Sequence, residues 1–316
     1  MRLVFCGTPQ FAVPTLQALH AASHEIALVV SQPDRPVGRK QIIEPTPVKQ
    51  AVLASGLPIT QPDKIKNSSE FRARLEEIAP DAIVVVAYGR IIPPWMLALP
   101  RYGCINLHGS LLPKYRGAAP IQWAVAMGET VTGNTTMLLE EGLDTGPMLL
   151  QQEVPIGPDQ TAVDLFGILA ERGAPLMVET LTGLEDGSIQ PKPQDHARAT
   201  LAPILTREDG HMNFAAHSAA ELRNRWRGFQ PWPGAFALLD GKKLIVHGME
   251  LVAGDQAPKP AIAESGQLVV DQSGLLVCCA RSTWLALTEV QLEGKKRMTA
   301  GEFLRGTHLP STARLG

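Results

Sequence analysis

A chain of 316 residues, 45% hydrophobic and 19% charged, has the make-up of an ordinary globular protein and enough length for two domains. A formal net charge of −2 provides no overall field to gather nucleic acid, so any contact with a polyanion has to come from local clusters. No run approaches the ~20 apolar residues of a membrane span, and four cysteines without a C-x-x-C pair exclude both a disulfide framework and a paired-cysteine zinc site.

The first elements follow at once. Arg2-Leu-Val-Phe-Cys-Gly7 reads as a buried strand from the second residue, leaving no room ahead of the fold for a signal or transit peptide, so the expected compartment is the cytoplasm. Cys6, Cys104, Cys278 and Cys279 lie mostly within apolar runs and read as reduced, buried small hydrophobes. Along the first half, strand-like runs at 3–6, 26–30, 82–87 and 104–108 are interleaved with helix-like segments at 14–22, 48–55, 69–78 and 119–127. Near-continuous hydrophobic strands separated by amphipathic helices predict an α/β domain, a doubly wound and mostly parallel sheet covered on both faces. Right-handed crossovers then gather the loops after the strand C-termini on one edge, where such sheets bind ligands.

The first strand ends in Gly7-Thr-Pro-Gln-Phe11 instead of G-x-G-x-x-G, which disfavours a nicotinamide or flavin site. Residues 32–49 form a proline-punctuated basic stretch, and a loop of that length inside a domain is usually functional. In Gly103-Cys-Ile-Asn-Leu-His-Gly-Ser110, two-residue periodicity places Asn106 and His108 on one face at a strand's C-terminal end. An amide N–H and an imidazole there can both donate toward the oxygen of a carbonyl becoming tetrahedral, as acyl transfer requires. Equally, Asn106 can satisfy backbone groups and His108 can be a polar strand-end residue. Ser110-Leu-Leu-Pro113 continues into a Gly- and Pro-containing loop able to grip a flat heterocycle through main-chain groups. Asp144, between Gly142 and Gly146, can orient His108, hold a water, or cap its own turn.

Residues 161–182 read as a helix, and 187–206, rich in proline and polar residues, read as a linker. Beyond it, a short helix at 219–226 and strands at 236–239, 244–249, 267–270, 275–279 and 284–290 predict a small β-barrel, OB-like in size. Basic clusters at Arg223, Arg225 and Arg227 and at Lys295, Lys296 and Arg297 fit solvated faces as well as RNA contacts. Trp226, Trp232 and Trp284 can stack on bases or pack at an interface. None of the eight histidines falls in a metal-binding helix pattern, so no metal is expected.

The ordered set Gly7-Thr-Pro9, Gln32-Pro-Asp-Arg-Pro36, Val86-Ala-Tyr-Gly89, the run from Cys104 to Pro120, Gly142-Leu-Asp-Thr-Gly146, Phe229-Gln-Pro-Trp-Pro233 and Gly294-Lys-Lys-Arg-Met298 resembles the methionyl-tRNA formyltransferases from end to end. The N-x-H and Asp core alone marks only the wider folate-dependent formyltransferase family. The resemblance implies a catalytic domain over 1–188, a linker over 189–206 and a tRNA-binding β-barrel over 207–316. It implies that Asn106, His108 and Asp144 are catalytic, that Ser110, Leu111, Leu112 and Pro113 bind the tetrahydrofolate moiety, and that Val86, Tyr88 and Gly89 line the pteridine pocket. It further implies that Arg35, Arg39 and Lys40 approach the acceptor end of initiator tRNA, with Lys295, Lys296 and Arg297 as further RNA contacts. The implied activity is formyl transfer from 10-formyltetrahydrofolate to methionyl initiator tRNA by a monomer, without metal. Where the family carries further basic residues after Arg39 and Lys40, this chain has Gln41-Ile-Ile-Glu44, which points to weaker tRNA binding by the loop. A formyltransferase acting on a sugar nucleotide or glycinamide ribonucleotide, and an RNA-binding module with a non-catalytic folate site, are the competing readings.

Overall fold

The computed structural model describes residues 1–22, 24–38, 41–258 and 263–316, apart from the side chains of Val37 and Asp255. In chain order the first half contains β1 (Arg2–Gly7), α1 (Val13–Ala21), β2 (Glu25–Val30), β3 (Arg35–Val37), β4 (Ile42–Glu44), α2 (Pro47–Ser55), β5 (Ile59–Thr60), α3 (Ser69–Ile78), β6 (Ala82–Val86) and α4 (Pro94–Leu97). There follow β7 (Cys104–His108), α5 (Pro120–Ala126), β8 (Val131–Leu138), β9 (Met148–Pro155) and α6 (Ala162–Glu185). The helices start where local chemistry tells them to. Thr46 accepts the Lys49 N–H at 3.2 Å ahead of Pro47 at the start of α2, and Ser68 accepts the Phe71 N–H at 3.2 Å at the start of α3.

Seven strands form one sheet in the order β5-β2-β1-β6-β7-β8-β9. The pairs from β5 through β7 are parallel, and β7–β8 and β8–β9 are antiparallel. β6 is buried along its whole length, as a strand covered on both faces must be. On one face Val4, Cys6, Leu28, Val30, Ile83 and Val85 pack with Phe71 and Leu75 of α3, and with Tyr88 and Met96. The chain runs outward from β1 to β2 and β5, then crosses to build β6 and β7 on the other side. The switch point lies between β1 and β6, where open α/β sheets form a binding crevice. A cleft of about 660 Å³ is found there, lined by Thr8, Gln32, Arg35, Ala87, Gly89 and Arg90 among others.

The doubly wound, mostly parallel sheet matches the expectation from sequence, with two differences in detail. The antiparallel β8–β9 hairpin went unread because β8 is polar: Thr132, Asn134, Thr135 and Thr136 are all buried, Asn134 Nδ2 donating to the Leu169 carbonyl at 2.8 Å and Thr136 bonding Thr180 at 2.8 Å, while Thr132 Oγ1 and Asn134 Oδ1 have no hydrogen-bond partner among the described residues. The stretch at 32–49 is not one open loop. It contains the short hairpin β3–β4, in register Arg35 with Glu44, and then enters α2.

By contacts the chain divides into two units, one of Met1–Pro120, Val131–Pro155 and Asp164–Pro203, the other of Ile121–Thr130, Ile156–Val163 and Ile204–Gly316. The linker expected at 189–206 falls mostly within the first of these units. Residues 189–203 belong to the first unit, because their main chain is paired: Lys192 and Met148 exchange two hydrogen bonds of 2.8 Å, and Arg116 and Ala202 share one of 2.7 Å.

The second unit contains α7 (Ala219–Gly228), β10 (Phe236–Leu239), β11 (Lys242–Leu251), β12 (Leu268–Asp271), β13 (Gly274–Cys279), β14 (Thr283–Leu292), β15 (Met298–Thr299) and α8 (Ala300–Gly306). Ser218 and Glu221 close a capping box at α7, and Thr299 and Glu302 do the same at α8. The strands form an antiparallel sheet in the order β10-β11-β14-β13-β12. Residues 313–316 add a last stave. Leu238 and Gly316 exchange two main-chain hydrogen bonds on the β10 side, and Leu268 N–H donates to the Ala313 carbonyl on the β12 side. Both edges are thereby joined into a small barrel. Its core includes Leu244, Val246, Leu275, Val277, Leu285, Leu287, Phe303 and Leu315.

Candidate active site

β7 delivers the predicted pair. Its alternation puts Asn106 and His108 on one face, with Asn106 opposite Val85 of β6 and His108 opposite Thr135 of β8. His108 is buried, while Asn106 is half-buried and its side-chain amide makes no hydrogen bond among the described residues. The His108 ring is committed on one side: Nε2 lies 2.9 Å from the Tyr115 carbonyl. A carbonyl can only accept, so Nε2 carries the proton and donates, leaving Nδ1 with the lone pair of the neutral ring. Nδ1 faces Asp144 Oδ2 at 3.7 Å, too far for a direct hydrogen bond and within ion-pair range once the ring is protonated. The same carboxylate oxygen accepts the Gly117 N–H at 2.8 Å. Asp144 sits at φ +49°, a left-handed conformation costly for a residue with a Cβ, in the turn between β8 and β9.

The loop after β7 is pinned from beneath by a residue that no local sequence pattern marks. Thr135 Oγ1 donates to the Ser110 carbonyl at 2.7 Å and accepts from Leu112 N–H at 3.1 Å and from Gln151 Nε2 at 2.9 Å. Gln151 Nε2 also reaches the Leu112 carbonyl at 2.9 Å. Ser110 spends its hydroxyl on the Lys114 carbonyl at 2.7 Å, so its contribution is to shape the loop. Leu112 is buried, and Leu111 and Pro113 are half-buried. Residues 113–119 are in turn bound by the strap at 192–202, where Tyr115 N–H donates to Thr200 Oγ1 at 2.8 Å and Arg116 N–H to the Thr200 carbonyl at 2.8 Å. Hydroxyls and amides acting across 16 to 85 residues leave no local pattern to read.

The residues after β6 divide. Val86 and Tyr88 are buried; the Tyr88 ring packs into the core, where burial pushes its phenol pKa up, and Tyr88 also lines the cleft beside Ala87 and Gly89. What faces outward is the backbone of Ala87 and Gly89, both at positive φ. The Tyr88 carbonyl is fixed by Thr8 Oγ1 at 3.1 Å and Gln32 Nε2 at 3.2 Å, and Arg90 Nε holds Gln32 Oε1 at 2.8 Å. Exposed Ile91 follows this loop, and exposed Leu143 precedes Asp144.

Of the basic candidates, Arg35 is exposed and lines the cleft. Arg39 and Lys40 lie outside the described residues. Lys295, Lys296 and Arg297 are exposed on the second unit, Arg297 in an ion pair with Glu289. The other arginine cluster serves packing. Arg223 binds Asp159, Arg225 lies over the rings of Trp123 and Phe229, and Arg227 is buried with its guanidinium on the carbonyls of Gly157 and Gln160. Trp284 is buried, Trp226 packs on the barrel core, and Trp232 is exposed. All four cysteines are free and buried, and burial pushes their thiol pKa values up, to about 12 for Cys104 and Cys279. Among the described residues no group of three His, Cys, Asp or Glu is placed to hold a metal ion, and no helix is long and apolar enough to cross a membrane.

An amide without a hydrogen-bond partner among the described residues, beside a histidine with a carboxylate behind it at the C-terminal end of a sheet strand, is compatible with acyl transfer. Residues 1–181 match the family model described as formyl transferase, and residues 204–308 match that of the formyl transferase C-terminal domain. The chain belongs to the formyl transferase family. Among curated relatives it is 65% identical, over the full length of both chains, to a methionyl-tRNA formyltransferase of Acidobacterium capsulatum, and 57% identical to one of Koribacter versatilis, covering 100% of this chain and 99% of that one. Solved structures share the fold at low identity. An N-formyltransferase from Helicobacter canadensis in complex with folinic acid and dTDP-3-aminofucose superposes with TM-score 0.64 at 15% identity, covering 94% of this chain and 100% of that one. HypX from Aquifex aeolicus in complex with tetrahydrofolic acid gives 0.59 at 15%, covering 96% of this chain and 47% of that one.

Proposed function

We propose that this enzyme transfers the formyl group of 10-formyltetrahydrofolate to the free amino group of methionyl initiator tRNA, giving N-formylmethionyl-tRNA for translation initiation. The observation that carries the reading is the Asn106 amide, unspent on protein groups, beside the His108 Nδ1 and Asp144 pair. The surroundings fit a folate. Exposed main chain at Ala87 and Gly89 offers hydrogen-bonding edges for a heterocycle, and the exposed side chains of Ile91 and Leu143 offer apolar cover. When bound, 10-formyltetrahydrofolate supplies an electrophilic formyl carbon and N10 as the leaving nitrogen.

Asn106 Nδ2 donates to the formyl oxygen as that oxygen gains charge. His108 was expected to donate beside it, but Nε2–H is spent on Tyr115. The other expected role, relay of the amine's proton, is the one Nδ1 supports: it accepts the proton released by the attacking amine, and the Asp144 carboxylate stabilises the resulting imidazolium. The proton can then pass from Nδ1 to the departing nitrogen. The amine of an aminoacyl ester is less basic than that of a free amino acid, so the base is needed only late in the step.

Arg35 supports the tRNA assignment by bringing an exposed cation to the cleft, and Lys295 and Lys296 bring two more on the second unit. Exposed Ile42 and Ile43 stand where the family's further basic residues would be, in keeping with a loop that holds RNA less tightly. The same reading makes the enzyme a cytoplasmic monomer, and sedimentation of the purified protein checks the second point. Incubation with 10-formyltetrahydrofolate and methionyl initiator tRNA, with an amino-sugar nucleotide and glycinamide ribonucleotide as parallel acceptors, tests the substrate. Formylated methionyl-tRNA alone is expected, and formylation of a control acceptor in place of the tRNA overturns it.

A further inference from the structure

Gln194 lies in the strap at 192–202, and its side chain is buried at 5% exposure. Nε2 donates to two main-chain carbonyls of one turn, Asp144 at 2.8 Å and Gly146 at 2.7 Å. Oε1 accepts from Arg116 twice, from Nε at 3.0 Å and from Nη2 at 2.6 Å. A guanidinium can only donate, so Arg116 fixes which end of the amide is oxygen and which is nitrogen. Arg116 is itself buried, and its Nη2 also meets His196 Nδ1 at 3.1 Å. The turn so held is the one that carries Asp144 at φ +49°. Its carboxylate accepts the Gly117 N–H at 2.8 Å, which holds Oδ2 3.7 Å from His108 Nδ1. A strained turn holds its shape only when its surroundings over-determine it, and Gln194 with Arg116 supplies that restraint.

We propose that Gln194 is a positioning residue for formyl transfer, its amide locking the Asp144 turn and Arg116 locking the amide. The inference rests on the proposed role of Asp144 and adds to it a residue that touches neither substrate. Only a neutral amide suits the place: a carboxylate would keep the Arg116 contact but set its second oxygen against two carbonyl oxygens. The chemistry needs Asp144 Oδ2 held against His108 Nδ1, and a shift of about 1 Å in such a pair costs on the order of a hundredfold in rate.

The test is a double-mutant cycle in kcat between Gln194→Glu and Asp144→Asn. Gln194→Glu is expected to lower kcat about 10- to 100-fold with KM for folate and tRNA changed less than about threefold, the pattern of a contact felt in the transition state. In the Asp144→Asn background the same substitution is expected to change kcat less than about threefold, because the group it positions is gone. A general structural defect would cost the same in both backgrounds, and that outcome overturns the proposal. So does a Gln194→Glu enzyme with kcat within about threefold of the parent. Should Gln194→Glu fail to fold, Gln194→Met, apolar and of similar length, carries the same comparison. If Asp144→Asn alone leaves kcat intact, the reading of the site falls together with the clamp. If Asp144→Asn is slow and the Gln194 variants are fast, only the clamp falls.

Discussion

Thr135 shows how one buried hydroxyl can organise a loop. Its oxygen donates once and accepts twice, joining Ser110, Leu112 and Gln151 under the turn that follows β7. Thr135→Val keeps the shape and removes all three bonds, leaving buried main-chain groups unpaired. A loss of about 1–3 kcal/mol in unfolding free energy is expected from urea denaturation, with slower turnover. The shared face of Asn106 and His108 was legible in the sequence because period-two spacing on a strand is a local pattern, whereas catalytic roles for them and for Asp144 came from the family resemblance. Thr135, Gln151 and Gln194 were not legible, since each acts through hydrogen bonds to residues far away in the chain. Glu221 is the clearest pH-sensitive group. Hydrogen bonds from the Ser218 backbone and side chain, then from Arg281, hold its carboxyl at about 2, against an ordinary 4.5. A depressed carboxyl pKa adds stability above the unfolded value, and that stability is lost as pH falls from 4.5 toward 2. Thermal melts of the parent and Glu221→Gln should therefore differ at neutral pH and converge over that interval. A gap that persists to the acid end would contradict the assignment.

Elements were read well where hydrophobic period and caps agree, as for β6, β7, α2 and α3, and poorly where strands are polar or chains pair at a distance. β8 carries Thr-Gly-Asn-Thr-Thr in its middle and was not read as a strand, yet these residues are buried, with Asn134 Nδ2 on the Leu169 carbonyl and the Thr135 and Thr136 hydroxyls bonded to neighbouring groups. The strap at 192–202 looked like a linker for the same reason in reverse, its prolines and polar residues concealing main-chain pairing with the loop after β7. Gly117 is where the two come closest. It sits at φ +124°, and an added Cβ would stand 2.6 Å from the Ala202 carbonyl oxygen. Gly117→Ala should push the strap off the loop, disturbing the N–H that holds Asp144. Faster proteolytic nicking near 192–202, together with reduced kcat, is the expected result. Unchanged proteolysis and turnover would show that the strap does not depend on that approach.

Over the whole molecule, the second unit depends on a segment that sequence did not reveal. Ser311-Thr-Ala-Arg-Leu-Gly316 has no hydrophobic run, yet Leu315 is buried in the barrel core and its neighbours join the β10 and β12 sides. Leu315→Ala is expected to cost about 2–5 kcal/mol in the stability of the second unit, read from denaturant unfolding. The electrostatics of the whole chain, at net −2, leave RNA binding to a few exposed cations. Arg35→Ala should accordingly raise KM for the tRNA and weaken its salt dependence while leaving KM for the folate alone. The central claim, that Asn106, His108 and Asp144 carry the formyl transfer, is tested most directly by single-turnover formylation of methionyl initiator tRNA with both substrates saturating. Asn106→Ala and His108→Ala should each slow the transfer about a hundred- to a thousand-fold relative to the parent. Rates within about threefold of the parent for both variants would contradict it.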